Sequence, residues 1–141
     1  MSFIASARRI DDTLRHEVDV NGRHTIITDE PTSLGGTDTG PAPHELLPAT
    51  LASCIATMMS MYAQRRGWQL EGLSVQVEYD HDSVPRHFDV VVDLPDGLAP
   101  EQVERLRHVA DSCPVRRAME AGFTFDEQIR TAPNPTAASS A

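Results

Sequence analysis

The chain contains 141 residues, enough for one ordinary domain with a core of its own and too few for two independent domains. Its 40% hydrophobic and 23% charged residues are typical of a globular protein. The net charge of −9 excludes a nucleic-acid-binding surface, which needs a basic patch, and gives no attraction to an anionic membrane. All twelve basic residues are arginine. The absence of lysine excludes Schiff-base chemistry, the usual pyridoxal phosphate linkage and a P-loop.

The N-terminus shows no targeting pattern, because it turns charged by residue 8 and lacks the basic-then-apolar order of a signal peptide. No uninterrupted apolar run approaches the ~18 residues of a transmembrane helix. We therefore expect a cytoplasmic protein that binds neither membrane nor nucleic acid. Thiols stay reduced in that compartment, so a purely structural disulfide is disfavoured.

The first third of the chain reads as strands. Leu14 to Val20 alternates loosely, Asn21-Gly22 is a strong hairpin turn, and Arg23 to Thr28 is the returning strand. Ser33 to Pro43 is then a loop rich in glycine, proline and threonine, and loops of this length are often functional.

The centre of the chain predicts a long helix from about His44 to Arg66, with Pro48 near its first turn and Gly67 at its C-terminal end. Between Leu51 and Ala63 no residue is charged, so the helix has almost no polar face. A helix that is apolar all round must be covered on all sides. One small sheet cannot do that, which predicts a partner subunit.

The second half alternates again between strands and helices. It predicts strands at Leu73–Tyr79 and His87–Leu94, an amphipathic helix at Glu101–Ser112, a short further turn to Gly122 and a last strand at Phe123–Ile129. In the helix Glu101 is placed to pair with Arg105, and Glu104 with His108. The order predicts an α+β fold with a largely antiparallel sheet, in one domain over residues 1–130, followed by a disordered tail at 131–141.

The two cysteines are the candidate reactive groups, and each has two interpretations. Cys54, in the long helix, is either a small core residue or a reactive thiol. Since burial raises the pKa of a thiol, reactivity requires a cation, and only a guanidinium is permanently charged here. Glu45, nine residues earlier, could anchor an arginine contributed from elsewhere, including a second subunit. Cys113, at a helix break, is either structural or a resolving thiol that condenses with a sulfenic acid on Cys54.

Metal binding and serine hydrolysis are weaker candidates. The six histidines form no HxxxH pair, the cysteines form no CxxC, and no GxSxG motif occurs. We expect neither a metal site nor a bound cofactor.

Three segments together resemble the OsmC/Ohr superfamily, and its OsmC-like branch in particular. They are the run from Asp29 to Cys54, which reads DEP, GG, GPAP, HELL and C in that order, then MYAQRRGWQLEGLSV, and finally DSCPVRRAM. The resemblance extends from about Leu14 to Ile129 and includes two separated cysteine motifs in the family's order.

This resemblance implies an OsmC-like fold, with antiparallel sheets around central helices in an intertwined homodimer and active sites at the subunit interface. It also implies a thiol peroxidase that reduces organic hydroperoxides. By position, Cys54 corresponds to the peroxidatic thiol, Cys113 to the resolving thiol and Glu45 to the acid that orients an activating arginine. Arg23 is the first candidate for that arginine and Arg15 the second.

The expected reaction forms a Cys54 sulfenic acid, then a Cys54–Cys113 disulfide that an external dithiol reduces. Two alternatives stay open. One is a redox sensor that uses the same disulfide without turnover. The other is a small-molecule-binding protein whose interface pocket only resembles a peroxidase site.

Overall fold

The computed structural model describes residues 1–131, and all but the first residue of the predicted tail at 131–141 lies outside them. The N-terminal third forms an antiparallel sheet of three strands in the order β1-β2-β3, with β1 at Ala5–Arg9, β2 at His16–Val20 and β3 at His24–Thr28. Asn21 and Gly22 have φ of 55° and 69°, the left-handed values of a two-residue hairpin turn, so the predicted hairpin is confirmed. The sequence does not predict β1, because ASARR carries no apolar alternation.

The central helix, α1, spans Leu46–Arg66 and follows a short 3-10 helix at Pro43–Glu45. Pro48 is the third residue of α1, where its missing N–H would have no intrahelical acceptor in any case. Gly67 ends the helix with φ 69°, a left-handed conformation that glycine adopts without a Cβ penalty. The predicted helix and its end are confirmed to within two residues.

The second half packs on α1. The strands β4 (Ser74–Asp80) and β5 (His87–Asp93) form a separate two-stranded antiparallel sheet, followed by α2 (Pro100–Asp111) and α3 (Pro114–Ala121). Helix α1 contacts β4, α2 and α3. The fully buried core between these elements consists of Leu51, Ile55, Met59, Leu106 and Cys113.

Only one face of α1 is buried within the chain. Leu51, Ile55, Met59 and Ala63 recur every four residues and form the buried ridge. On the opposite face Ser53, Thr57 and Ser60 are exposed. The described residues of this chain therefore do not bury α1 on all of its faces, as the sequence predicted they could not. The segment Pro43–Arg66 is long and apolar enough to cross a membrane by length and composition, and a core helix with such a buried ridge has the same properties.

Three expectations are wrong within residues 1–131. The single sheet is two separate sheets, and no strand forms at residues 123–129, where Phe123, Phe125 and Ile129 are 64%, 87% and 91% exposed. A strand needs a neighbouring strand for its backbone hydrogen bonds, and none lies beside this segment. The Glu101–Arg105 pair does not form because Arg105 turns to Tyr62, whereas Glu104 does approach His108 at 3.6 Å.

Candidate functional site

The two cysteine side chains lie side by side, although 59 residues separate them (113 − 54). Cys54 is half-buried on α1 and packs against the core, and Cys113 is fully buried between α2 and α3. The thiols are within hydrogen-bonding reach of each other, and both are free. A disulfide between them would have a sulfur–sulfur distance of about 2.05 Å, so the two side chains must approach each other to form it.

The break between α2 and α3 places Cys113 at this point. Pro114 is the first residue of α3, a position that suits proline because its missing N–H has no helical acceptor there. Cys113 precedes it as the N-cap with φ −52° and ψ 127°, consistent with the restriction that proline imposes on the preceding residue. The chain thus turns at Cys113, and its side chain enters the core next to α1.

The electrostatics of the pair favour the neutral thiol on Cys54. Burial raises the pKa of Cys54, and the neighbouring Cys113 thiol raises it further. The backbone N–H of Val115, in the first turn of α3, partly offsets this by donating to the Cys54 sulfur. Within residues 1–131 the chain therefore places two thiols next to each other, and no cation among these residues lowers the pKa of Cys54.

The other predicted site residues lie elsewhere in the chain. Glu45 is exposed in the 3-10 helix and lines a cavity of about 390 Å³ with His44, Tyr79 and His81. The nine residues from Glu45 to Cys54 span about 13 Å along a helix axis, too far for contact. The structure therefore does not bring Glu45 to the cysteine pair.

Neither candidate arginine is positioned at the thiols. Arg23 is exposed beside the β2–β3 turn, and its side chain has no ion pair or hydrogen bond within residues 1–131. Arg15 approaches Asp11 at 3.5 Å, while its buried Nε has no hydrogen-bond partner among the described residues.

The carboxylate of Asp29, which the sequence patterns do not single out, organises the loop before α1. This carboxylate is 1% exposed and accepts hydrogen bonds from the backbone N–H groups of Glu30 (2.8 Å), Thr37 (3.3 Å) and Thr39 (3.0 Å). The hydroxyls of Thr37 and Thr39 donate to it at 2.5 Å and 2.9 Å. The hydroxyl of Thr37 is the strongest of the influences that hold the pKa of Asp29 well below its usual range. The only signal in the sequence is an acid followed by threonines in a glycine-rich loop.

The Asp29 loop is closely packed on its own backbone. A Cβ on Gly36 would lie 1.9 Å from the carbonyl oxygen of Glu30, so only glycine fits there. The loop ends where the 3-10 helix carrying Glu45 begins. Asp29 therefore ties residues 29–39 together, and its backbone N–H also donates to Pro41, two residues before that 3-10 helix.

Metal ligation receives no support from the side-chain geometry. Within residues 1–131 no three His, Cys, Asp or Glu side chains cluster in a way that could hold a metal ion. His44 and His81 approach each other at 5.4 Å between ring centroids, but Tyr79 packs edge-on against His44 at 5.3 Å. These rings form an aromatic cluster in which Tyr79 also stacks on Phe88 at 4.6 Å.

Solved structures with the same fold span nearly the whole chain. An osmotic stress induced and detoxification response protein from Psychrobacter arcticus superposes with a TM-score of 0.68 at 22% identity, covering 80% of this chain and 85% of that one. An OsmC-like protein from Mycoplasma pneumoniae gives 0.67 at 14% identity over 85% and 88%. The organic hydroperoxide resistance protein OsmC from Legionella pneumophila gives 0.56 at 24% identity over 84% and 89%. No match was found among curated proteins.

At these identities the superpositions establish the fold, a mixture of helices and small antiparallel sheets found in OsmC-like structures. Membership rests on the sequence. The family model described as OsmC-like protein matches residues 36–128, which are 93 of the 141 residues and include both cysteines. The chain therefore belongs to the OsmC-like protein family.

Proposed function

We propose that this protein is a thiol-dependent peroxidase that reduces organic hydroperoxides. The observation that carries the proposal is the contact between the free thiols of Cys54 and Cys113. Several structures with this fold belong to proteins named for organic hydroperoxide resistance, which adds support from fold-level analogy.

The reaction uses both sulfurs in turn. The Cys54 thiolate attacks the terminal peroxide oxygen, the O–O bond breaks, and the alcohol leaves with a proton, so that Cys54 becomes a sulfenic acid. The Cys113 thiolate then attacks that sulfur, water leaves, and a Cys54–Cys113 disulfide forms. An external dithiol reduces the disulfide and restores both thiols.

The half-buried surroundings of Cys54 favour a peroxide with an alkyl group. Leu51 and Ile55, on the same helix, are packed into the core, and Met58, one turn further along, is half-buried and presents apolar surface. Apolar walls stabilise a bound alkyl group through the area that it removes from water, which hydrogen peroxide does not offer.

The activating charge is proposed to come from a second copy of the chain, in a homodimer. Two features support this. The raised pKa of Cys54 requires a cation that residues 1–131 of its own chain do not place there, and the exposed face of α1 is uncharged from Leu51 to Ala63. Arg23, held by Glu45, is the first candidate for the cation and Arg15 the second.

Oxidation of the two cysteine variants tests the chemistry. We expect the unsubstituted protein to lose two thiols and about two mass units after one equivalent of cumene hydroperoxide, faster than with hydrogen peroxide. Cys54→Ser should lose all turnover, while Cys113→Ser should proceed to a sulfinic acid on Cys54. Equal, full activity in both variants, or two free thiols after minutes, would contradict the proposal.

Mixing variants tests where the arginine comes from. Cys54→Ser and Arg23→Gln subunits are each inactive alone under the proposal, but a mixed dimer contains one site with Cys54 from one chain and Arg23 from the other. We expect activity to return on mixing after dissociation and reassociation. Failure to recover activity in a verified mixed dimer would assign the cation to the same chain, whereas activity in Arg23→Gln alone would point to Arg15.

Turnover separates the proposal from its closest alternative, a redox sensor with the same disulfide. A peroxidase consumes many equivalents of cumene hydroperoxide when dithiothreitol is present, whereas a sensor is oxidised and reduced without significant turnover. A binding protein of the same fold would consume no cumene hydroperoxide under these conditions and would keep both thiols free when dithiothreitol is left out.

A further inference from the structure

A groove between α1 and α2 combines an apolar floor with unpaired positive charge. Its cavity of about 480 Å³ lies within the size range of small-molecule sites. Met58, Met61, Tyr62 and Val109 form the apolar floor. Arg65, from α1, and Arg105, from α2, lie at its rim.

The two arginines have no carboxylate partner among the described residues. The acidic side chain nearest in sequence on α2, Glu104, is already paired with Arg107 at 3.3 Å and with His108 at 3.6 Å. Arg65 also lies in the last turn of α1, where a cation interacts favourably with the helix dipole. Arg105 lies in the middle of α2, so the helix dipole does not account for its position at the same groove.

Tyr62 holds the charged rim in place. Its hydroxyl accepts a hydrogen bond from Arg105, which raises the pKa of Arg105 further above its ordinary value. Arg66 stacks on the Tyr62 ring with its guanidinium carbon 3.6 Å from the ring centroid. The Trp68 ring packs edge-on against Tyr62 at 5.7 Å. Two guanidinium groups, those of Arg66 and Arg105, therefore contact Tyr62 on a chain whose net charge is −9.

We propose that this groove binds a long-chain carboxylate, with the carboxylate on Arg65 and Arg105 and the alkyl chain on the methionine and valine floor. Guanidinium groups bind carboxylates with paired, charge-assisted hydrogen bonds, and methionine side chains adapt to flexible alkyl chains. A neutral lipid would leave the two arginines without a partner, and a cationic one would be repelled.

The groove does not coincide with the exposed face of α1 that the proposed dimer covers. At 100° per residue, Met58, Met61 and Arg65 lie roughly a quarter turn from the centre of the Ser53, Thr57 and Ser60 face. Neither cysteine lines the cavity, although Met58 belongs both to it and to the apolar surroundings proposed for Cys54. Carboxylate binding here does not require the sulfur chemistry, and the Cys54→Ser variant below tests the two apart.

Fluorescence of Trp68 offers a direct test, since it is the only tryptophan and touches Tyr62. The purified full chain is titrated with decanoate, and in parallel with decanol and decyltrimethylammonium. We expect a saturable change with decanoate and weaker binding of the other two. Isothermal titration calorimetry on the same samples measures binding even where the fluorescence does not change.

Matched arginine variants localise the binding. Arg65→Gln and Arg105→Gln should each weaken decanoate binding by about fivefold, the upper end for an exposed ion pair. Arg117→Gln, the same change at an exposed position on α3, should have no effect, and Cys54→Ser should bind as the unsubstituted chain does. Equal affinity for decanol, unchanged affinity in both groove variants, or no binding by calorimetry because a second copy fills the groove would overturn the proposal.

Discussion

Asp29 and Cys54 are both ionisable groups withdrawn from solvent, and the chain treats them in opposite ways. Five hydrogen bonds from its own loop surround the Asp29 carboxylate and favour the charged form. Cys54 receives one backbone N–H, from Val115, while burial and a second thiol favour the neutral form. The described part of the chain thus completes a charged structural site by itself but places no activating charge at the candidate reactive site.

The two groups differ in this way because Asp29 has a structural role, whereas Cys54 is proposed to have a chemical one. A carboxylate that holds a loop must be satisfied as soon as the chain folds, because a buried charge without partners is costly. A thiol can stay neutral in the folded chain at little cost and become a thiolate once a cation approaches. We therefore expect the Asp29 loop to be independent of assembly and the reactivity of Cys54 to depend on it.

The largest loss of stability is expected where packing holds the cysteine pair. Leu106 is fully buried in the same cluster as Cys113, so Leu106→Ala should lower the free energy of unfolding by about 2–5 kcal/mol. Urea denaturation measures this directly. Leu34→Ala is the control, because Leu34 is 67% exposed and should change stability by no more than about 0.5 kcal/mol. Equal losses in the two variants would contradict the core described above.

Assembly into a dimer is expected to lower the pKa of Cys54, as the loop of Asp29 already lowers the pKa of that carboxylate. Under the proposed function, the rate of Cys54 alkylation by iodoacetamide should rise with pH through an inflection well below ~8. Arg23→Gln should then raise that inflection by about 1–3 pH units, the range for removing a nearby opposite charge.

Arg117→Gln is the control for this alkylation profile and should leave the inflection unchanged. If the unsubstituted protein already shows an inflection at or above the ordinary thiol value, no activating charge is supplied in any assembly. That result would contradict the proposed peroxidase function and favour the alternative of a small-molecule-binding protein.

The contribution of Asp29 to the stability of the protein is expected to depend on pH. Because the pKa of Asp29 is lowered by folding, its contribution is present above its ordinary value of 3.8 and is lost as the pH falls through the folded-state value. Asp29→Asn should therefore lower the melting temperature at pH 7, and its deficit relative to the unsubstituted chain should shrink below about pH 4. Asp38→Asn, an exposed change in the same loop, should show no such pH-dependent deficit.

The smallest effect is expected from the two exposed ion pairs of Arg116, one across the break before α3 and one within α3. Arg116 contacts Asp111 and Glu120, each at 2.9 Å, but its side chain is 43% exposed. Arg116→Gln should cost less than about 1 kcal/mol in urea denaturation, as exposed pairs do. A loss as large as that of Leu106→Ala would mean that these charges, rather than packing, hold the first turn of α3 against Cys54.

The sequence alone determined the local elements, because their signals repeat over short distances. The Asn21-Gly22 turn, the Gly67 helix end, the alternation in Ser74–Asp80 and the apolar stripe of Pro100–Asp111 each depend on neighbours a few residues apart. The two cysteine motifs and the loop before α1 also carried the family resemblance. The N-terminal strand Ala5–Arg9 was not predicted, because its own sequence has no strand pattern. It is a strand because its backbone pairs with β2.

Only the tertiary structure decided which distant residues meet. It brought Cys54 to Cys113 across 59 residues, enclosed Asp29 with Thr37 and Thr39, and turned Arg105 from Glu101 to Tyr62. It also divided the strands into two sheets and left residues 123–129 without a strand partner. Such contacts depend on chain reversal and side-chain direction over long separations, and neither is encoded in a local period.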